Sequence, residues 1–150
     1  WVPFVLASLA LLKPGGRLGF TTAAKEKPHD VERLRERALA ALGLAHRAEA
    51  AIGIPHKVSS DEVRDLFTGA GYRVRQVLLR TIVDHPQSTD DVHVANLSSS
   101  FGNSLSGLSE SERKQLRTFI DTELEQLRDA EGIRVERHLI FAVAEKPQVS

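Results

Sequence analysis

Residues 10–20, ALLKPGGRLGF, hold the end of one predicted element, a tight turn and the start of the next. The segment before the turn, residues 4–12, is apolar on nearly every side of a predicted helix, which is typical of a buried helix. Pro14 disfavours helix at the residue before it, and the two glycines that follow can adopt the positive φ of a turn. The sequence therefore predicts a buried helix, a turn and a strand over 17–24.

The rest of the chain continues this alternation of helices and strands. Apolar side chains recur every three or four residues from Asp30, a predicted N-cap, and capping boxes at Ser59/Glu62 and Ser109/Glu112 open two more helices. The predicted elements are helices over 30–50, 59–69 and 109–130, strands over 72–83 (much of it buried) and 138–145, and a long loop over 84–108 with room for one short helix. This order indicates an α/β fold with helices packed on a sheet.

Composition narrows the classes of function. The chain is 41% hydrophobic and 27% charged, which is typical of one globular domain, and its formal net charge is zero without a basic stripe, so no nucleic-acid partner is expected. The absence of cysteine excludes disulfides, thiolate metal sites and a cysteine nucleophile. The apolar opening is too short for a membrane span and lacks the flanks of a signal peptide. We therefore expect a cytoplasmic location and no membrane partner.

The glycine-containing turns do not predict a phosphate-binding loop, and the histidines do not predict a metal site. Gly15-Gly16 and Gly69-Ala70-Gly71 lie between a helix and the following strand, whereas a nucleotide-binding glycine loop follows a strand and opens a helix. The six histidines lack the spacing of a zinc-binding helix and have no cysteine to complete a ligand set. No metal is expected.

Two histidines of the predicted loop are the candidate catalytic residues. Asp84 precedes His85, and Asp91 stands two residues before His93. In either pair, the carboxylate could orient the imidazole as a general base. The alternative interpretation is a set of solvated polar groups in a loop.

Several segments in order resemble the C-terminal half of small-molecule, class I (Rossmann-like) S-adenosylmethionine-dependent methyltransferases. They are WVP, the apolar helix, LLKPGGRLGF, SSDEVRDLFTGAGYRV and HLIFAVAEKP, and together they cover nearly the whole chain. The resemblance implies that Leu18 to Thr22, Val74 to Ile82 and Leu139 to Val143 correspond to the fifth, sixth and seventh strands of that sheet. It also implies that the last strand is antiparallel and inserted between the other two.

The resemblance implies a function as well. Residues 1–150 would form the C-terminal part of one methyltransferase domain, with substrate-lid inserts at about 25–58 and 84–131. The complete protein would use S-adenosylmethionine to methylate a small molecule, and this half would form the acceptor pocket and the sheet edge. Trp1 is the candidate cofactor contact. The candidate substrate-binding residues, each with a local turn or cap hydrogen bond as the alternative, are Thr21, Thr22, Asn96, Ser99, Ser100, Phe101 and Asn103.

The family's glycine-rich loop and ribose-binding acidic residue would lie before Trp1, in a missing N-terminal half. We therefore expect the isolated chain to be inactive and to bind S-adenosylmethionine weakly or not at all. Two alternatives stay open: a non-catalytic binding or interaction module derived from this fold, marked by an exposed apolar face, and a different α/β enzyme.

The uncharged strand over 18–24 would be an open sheet edge, which predicts a homodimer or pairing with the missing half.

Overall fold

The computed structural model describes residues 2–47, 57–97 and 105–148. Its helices and strands follow the predicted α/β order. The helices are α1 (Val2–Leu11), α2 (Asp30–Ala41), α3 (Ser60–Gly69), α4 (Thr89–Leu97) and α5 (Glu110–Glu125), and the strands are β1 (Arg17–Ala23), β2 (Arg73–Asp84) and β3 (Val135–Glu145). In the described part of the chain, every helix is too short or too polar to cross a lipid bilayer.

The three strands form one sheet in the order β1-β3-β2. β3 pairs antiparallel with β1, in a register that runs from Arg17 opposite Glu145 to Ala23 opposite Leu139. The predicted insertion of the last strand between the two earlier ones is confirmed.

A buried carboxylate connects the three strands. Glu145 of β3 accepts hydrogen bonds from Arg17 Nε of β1 at 3.1 Å and from Arg75 of β2 through Nε at 3.0 Å and Nη2 at 2.7 Å. The hydrogen bonds from Arg75, with a smaller contribution from Arg17, lower the pKa of Glu145 to about 2. The charged form of Glu145 therefore stabilises the sheet.

Most of the sheet, together with α1 and α3, forms the first of two compact units, which contains residues 1–28, 57–82 and 138–150. Phe67 of α3 is fully buried and meets Phe20 and Tyr72 edge to face, with ring centroids 5.7 and 5.4 Å apart. Around these rings lie apolar side chains from α1, α3, β2 and β3, namely Val5, Val63, Val77, Ile140, Ala142 and Ala144.

The second compact unit contains residues 29–56 and 83–137, which include most of both predicted inserts. α2 and α5 pack against each other, and the stripe Leu116, Ile120 and Leu124 of α5 is buried at the four-residue spacing of one helix face. Leu34, Ala38 and Leu39 of α2, Val92 of α4, and Ile133 complete this second core.

The predicted helix over 30–50 begins at the predicted residue but ends earlier than predicted. It begins with Asp30 as its first helical residue, not as its N-cap, and the Asp30 carboxylate accepts the backbone N–H of Glu136 at 2.8 Å. It ends at Ala41, because Gly43 adopts φ +68° and its N–H bonds to the carbonyl of Ala40. This is a Schellman turn, closed by the bond from Leu44 N–H to the carbonyl of Leu39.

Burial is lower than predicted in two elements. α1 buries only Val5, while Leu11 is 87% exposed, because one side of the helix alone meets the core. In β2 only Val77 is buried, and Leu79 and Val83 are each 38% exposed. The short helix allowed within 84–108 is present as α4.

Candidate functional site

His93 and Asp121 form a partly buried pair with acid–base chemistry in the second unit. His93 lies on α4 and Asp121 on α5, and His93 Nε2 is 2.5 Å from Asp121 Oδ1. The His93 side chain is only 12% exposed. Its neighbour Val92 is buried in the core of the unit, which fixes the side of α4 that faces α5.

Hydrogen bonds between residues close in sequence fix the start of α4. Ser88 and Asp91 bond reciprocally at its first turn: the Ser88 N–H donates to the Asp91 carboxylate at 3.0 Å, and the Asp91 N–H donates to Ser88 Oγ at 3.2 Å. This exchange satisfies backbone donors that the helix leaves unpaired. Asp91 therefore caps the helix, and the predicted pairing of Asp91 with His93 is wrong.

A chain of charged groups extends from the imidazole. The second carboxylate oxygen of Asp121 is 3.7 Å from Arg117 Nε, one helical turn earlier on α5, and Arg117 also pairs with Asp90 on α4. Asp121 therefore contacts both His93 and Arg117. A carboxylate that orients an imidazole from one side is compatible with a role of that imidazole as a general base.

His85 lies in a junction between two loops. Its Nε2 is 3.5 Å from carboxylate oxygens of Asp129 and of Glu131, whereas the predicted partner Asp84 bonds Arg137, with Nε 2.5 Å from Oδ2. Hydrogen bonds from the backbone N–H of Glu131, with a smaller contribution from His85, lower the pKa of Asp129. The Asp84–His85 pairing is therefore wrong, although His85 does face carboxylates.

The same junction is held by backbone contacts. Ile133 N–H donates to the carbonyl of Pro86 at 2.9 Å, and a Cβ added to Gly132 would lie 2.8 Å from that carbonyl oxygen. Gly132 has φ +141°, so a side chain there is disfavoured on both counts. These contacts indicate a structural role for His85. His93 is therefore the stronger catalytic candidate.

The remaining predicted site residues are placed only in part. Thr21 and Thr22 lie at the end of β1 opposite Phe141 and Ile140, with Thr21 exposed and Thr22 half-buried. Asn96 lies on α4, and its side chain is outside what the structure describes. The other predicted residues, Trp1, Ser99, Ser100, Phe101 and Asn103, lie outside the described residues.

A groove beside α5 was not predicted. It has a volume of about 610 Å³ and lies between the face of α5 around Phe119 and the end of α2 at Leu42. Two threonines along it, Thr118 and Thr122, donate their hydroxyls to carbonyls of their own helix at 2.9 Å. The sequence could not show this groove, because it depends on where α2 ends and on how α2 packs against α5.

The described connections do not fit a cofactor loop. Each described connection from a strand into a helix, 24–29 and 85–88, lacks glycine. Gly15 and Gly71, with φ of +77° and +93°, instead follow helices and precede strands. Within the described ranges, no glycine-rich turn places a helix N-terminus beside a ligand.

Comparison with known proteins gives the fold. No family model and no curated protein matches the sequence. Among solved structures, the chain is similar to a protein from Bacillus halodurans C-125 that is provisionally named a methyltransferase, with a TM-score of 0.51 and 13% identity. The match covers 98% of this chain and 58% of that one, so the chain spans a little over half of its neighbour's length. At this identity the likeness shows a methyltransferase-like α/β fold.

Proposed function

We propose that the chain is part of an S-adenosylmethionine-dependent methyltransferase that acts on a small molecule, and that it supplies the acceptor-binding side and an edge of the sheet. The observation that supports this most is the strand order β1-β3-β2 with an antiparallel β3. The same order is implied by the resemblance of the sequence to that family, and the fold is similar to that of a protein provisionally named a methyltransferase.

The proposal assigns only the acceptor side to this chain. S-adenosylmethionine supplies an electrophilic methyl group, and the described residues hold no loop that fits it. What an acceptor site contributes is the position of the acceptor atom and the exclusion of water, which can account for much of the rate enhancement.

Within the second unit, we assign His93 the role of taking the proton that an acceptor hydroxyl or amine loses. Asp121 occupies Nε2, so Nδ1 is the ring nitrogen that would face the acceptor. Asn96, Ser99, Ser100, Phe101 and Asn103 follow His93 closely in the chain, and we propose them as acceptor-binding residues. In the first unit, Thr21 and Thr22 stand at a strand end, where open α/β sheets bind ligands, and they remain proposed substrate contacts.

A non-catalytic interaction module with the same fold is the second candidate. The exposed apolar side of α1 favours it, because a surface of this kind is a mark of association. The two candidates differ in one measurable property: only the first requires a small-molecule site near His93.

Ligand-observed NMR of the chain against a panel of phenols, amines and carboxylates tests the proposal. We expect one class of acceptor to bind and its affinity to fall at least tenfold in His93→Asn. The control is His46→Asn, which removes a histidine of the same unit outside α4. If no class binds, or if both variants weaken binding equally, the interaction module is the better account.

A further inference from the structure

Four polar side chains form a row of contacts where α4 packs against α5. Asp90 and His93 lie three residues apart on α4. Arg117 and Asp121 lie four residues apart on α5, so the members of each pair share one face of their helix. In order of contact the four residues are Asp90, Arg117, Asp121 and His93.

The carboxylate of Asp121 uses a different oxygen for each of its two neighbours. Oδ1 lies 2.5 Å from His93 Nε2, whereas Oδ2 lies 3.7 Å from Arg117 Nε. The last torsion of an aspartate side chain has only a broad preference, so one hydrogen bond alone leaves the carboxylate plane poorly fixed. The attraction between Arg117 and Oδ2 supplies a second restraint, which keeps Oδ1 directed at the imidazole.

Arg117 is itself held at two points. Its Nη2 donates to Asp90 Oδ1 on α4, while its Nε faces Asp121 on its own helix. A guanidinium is planar and presents its N–H groups in fixed directions, so these two contacts define its orientation. The Arg117 side chain is 52% exposed, and we therefore expect it to contribute little to the stability of the fold.

The contact with Asp121 determines which ring nitrogen of His93 carries a proton. An ionised carboxylate only accepts hydrogen bonds, so this geometry places a proton on Nε2. In the neutral imidazole the lone pair then lies on Nδ1. Because the His93 side chain is only 12% exposed, few water molecules compete for the Nε2 proton.

We propose that Arg117 is a positioning residue. It fixes the Asp121 carboxylate, which in turn holds the His93 proton on Nε2 and leaves Nδ1 as the basic nitrogen. This inference deepens the proposed function and rests on it, since a fixed proton position matters for catalysis only if His93 takes the proton of the acceptor. Arg117 acts through Asp121 and His93 and contacts neither the acceptor nor the methyl donor.

NMR of the isotope-labelled chain tests the role of Arg117 without any acceptor. We expect a His93 Nε2–H resonance in the unaltered chain, and exchange of that proton with water about tenfold faster in Arg117→Gln. Arg117→Lys keeps the positive charge and should retain most of the protection. Arg37→Gln is the matched control and should change nothing, because Arg37 is 63% exposed and pairs with Glu123, another carboxylate of α5.

The backbone amides of α4 distinguish positioning from a merely structural role. We expect their exchange to stay nearly unchanged in Arg117→Gln, because Arg117 orients the carboxylate and the contact between the helices survives its loss. Four results would each overturn the proposal: an unprotected Nε2 proton in the unaltered chain, unchanged exchange of that proton in Arg117→Gln, equal effects of Arg117→Lys and Arg117→Gln, or α4 amides that accelerate in step with the imidazole proton. A failure of the acceptor panel would overturn the proposed function instead and would leave these exchange rates as they are.

Discussion

The ionisation of Glu145 connects a single residue to the stability of the sheet. Its pKa is about 2 in the folded chain, against an ordinary value of 4.5, and Arg75 is the main cause. A lowered pKa means that the stabilisation is fully present above pH 4.5 and is lost as pH falls through about 2. We therefore expect the free energy of unfolding to decline between these two values.

Thermal melts of the unaltered chain and of Glu145→Gln, from about pH 2 to neutral pH, check that expectation. The variant should melt several degrees lower at neutral pH and should show a weaker pH dependence below pH 4.5. Glu36→Gln, at an exposed position of α2, is the control and should behave as the unaltered chain. Equal pH dependence in all three proteins would contradict the role of Glu145.

Asp121 offers a second prediction at this scale. Two charged pairs connect α4 to α5, namely His93 with Asp121 and Asp90 with Arg117. The Asp121 side chain is 32% exposed, whereas that of Asp90 is 77% exposed. Exposed ion pairs contribute little to stability. We expect Asp121→Asn to speed hydrogen exchange in α4 several-fold and Asp90→Asn to leave it nearly unchanged. Similar rates in both variants would show that the His93–Asp121 contact does not hold the helix.

The sequence could predict His93 as a candidate but not its partner. Neighbours in sequence suggested Asp91, yet that carboxylate caps α4, and the imidazole meets Asp121 on another helix. His85 repeats the pattern, since its carboxylates come from a loop more than 40 residues away. Contacts of this kind depend on how distant elements pack, which spacing along the chain does not encode.

At the scale of elements, helix starts were more predictable than helix ends. The Ser59/Glu62 and Ser109/Glu112 boxes have the predicted reciprocal bonds. The end of α2 was missed, because apolar side chains continue past Gly43 with helical spacing. A cap depends on a few adjacent residues, whereas the end of α2 depends on a backbone conformation that the apolar pattern hides.

Substitution of Gly43 tests that explanation. Nothing lies within 4 Å of a Cβ added there, so the cost of Gly43→Ala should come from its φ of +68° alone, about 1 kcal/mol. Gly69→Ala is the matched control, since Gly69 is helical and its Cβ is equally unobstructed. Denaturant unfolding should show Gly43→Ala less stable than the parent and Gly69→Ala at least as stable. Equal stability of the two variants would contradict the Schellman turn.

At the scale of the whole molecule, the sheet was the most predictable feature. The tight turn after α1 and the apolar segments of β2 and β3 located the strands, and the family resemblance implied their order, which the structure confirms. The division into two compact units and the exposure of α1 were not predicted. Both features depend on what packs against each apolar face. An apolar pattern in the sequence predicts that a face will be covered, but it does not specify which part of the molecule covers it.

Our central proposal is that this chain supplies the acceptor side of a methyltransferase and that the site for the methyl donor lies outside its described residues. The most direct test is calorimetry of the chain with the best acceptor from the NMR panel, followed by S-adenosylmethionine in the same cell. We expect a binding heat from the acceptor and none above dilution from S-adenosylmethionine. Micromolar binding of S-adenosylmethionine without acceptor binding would contradict the claim.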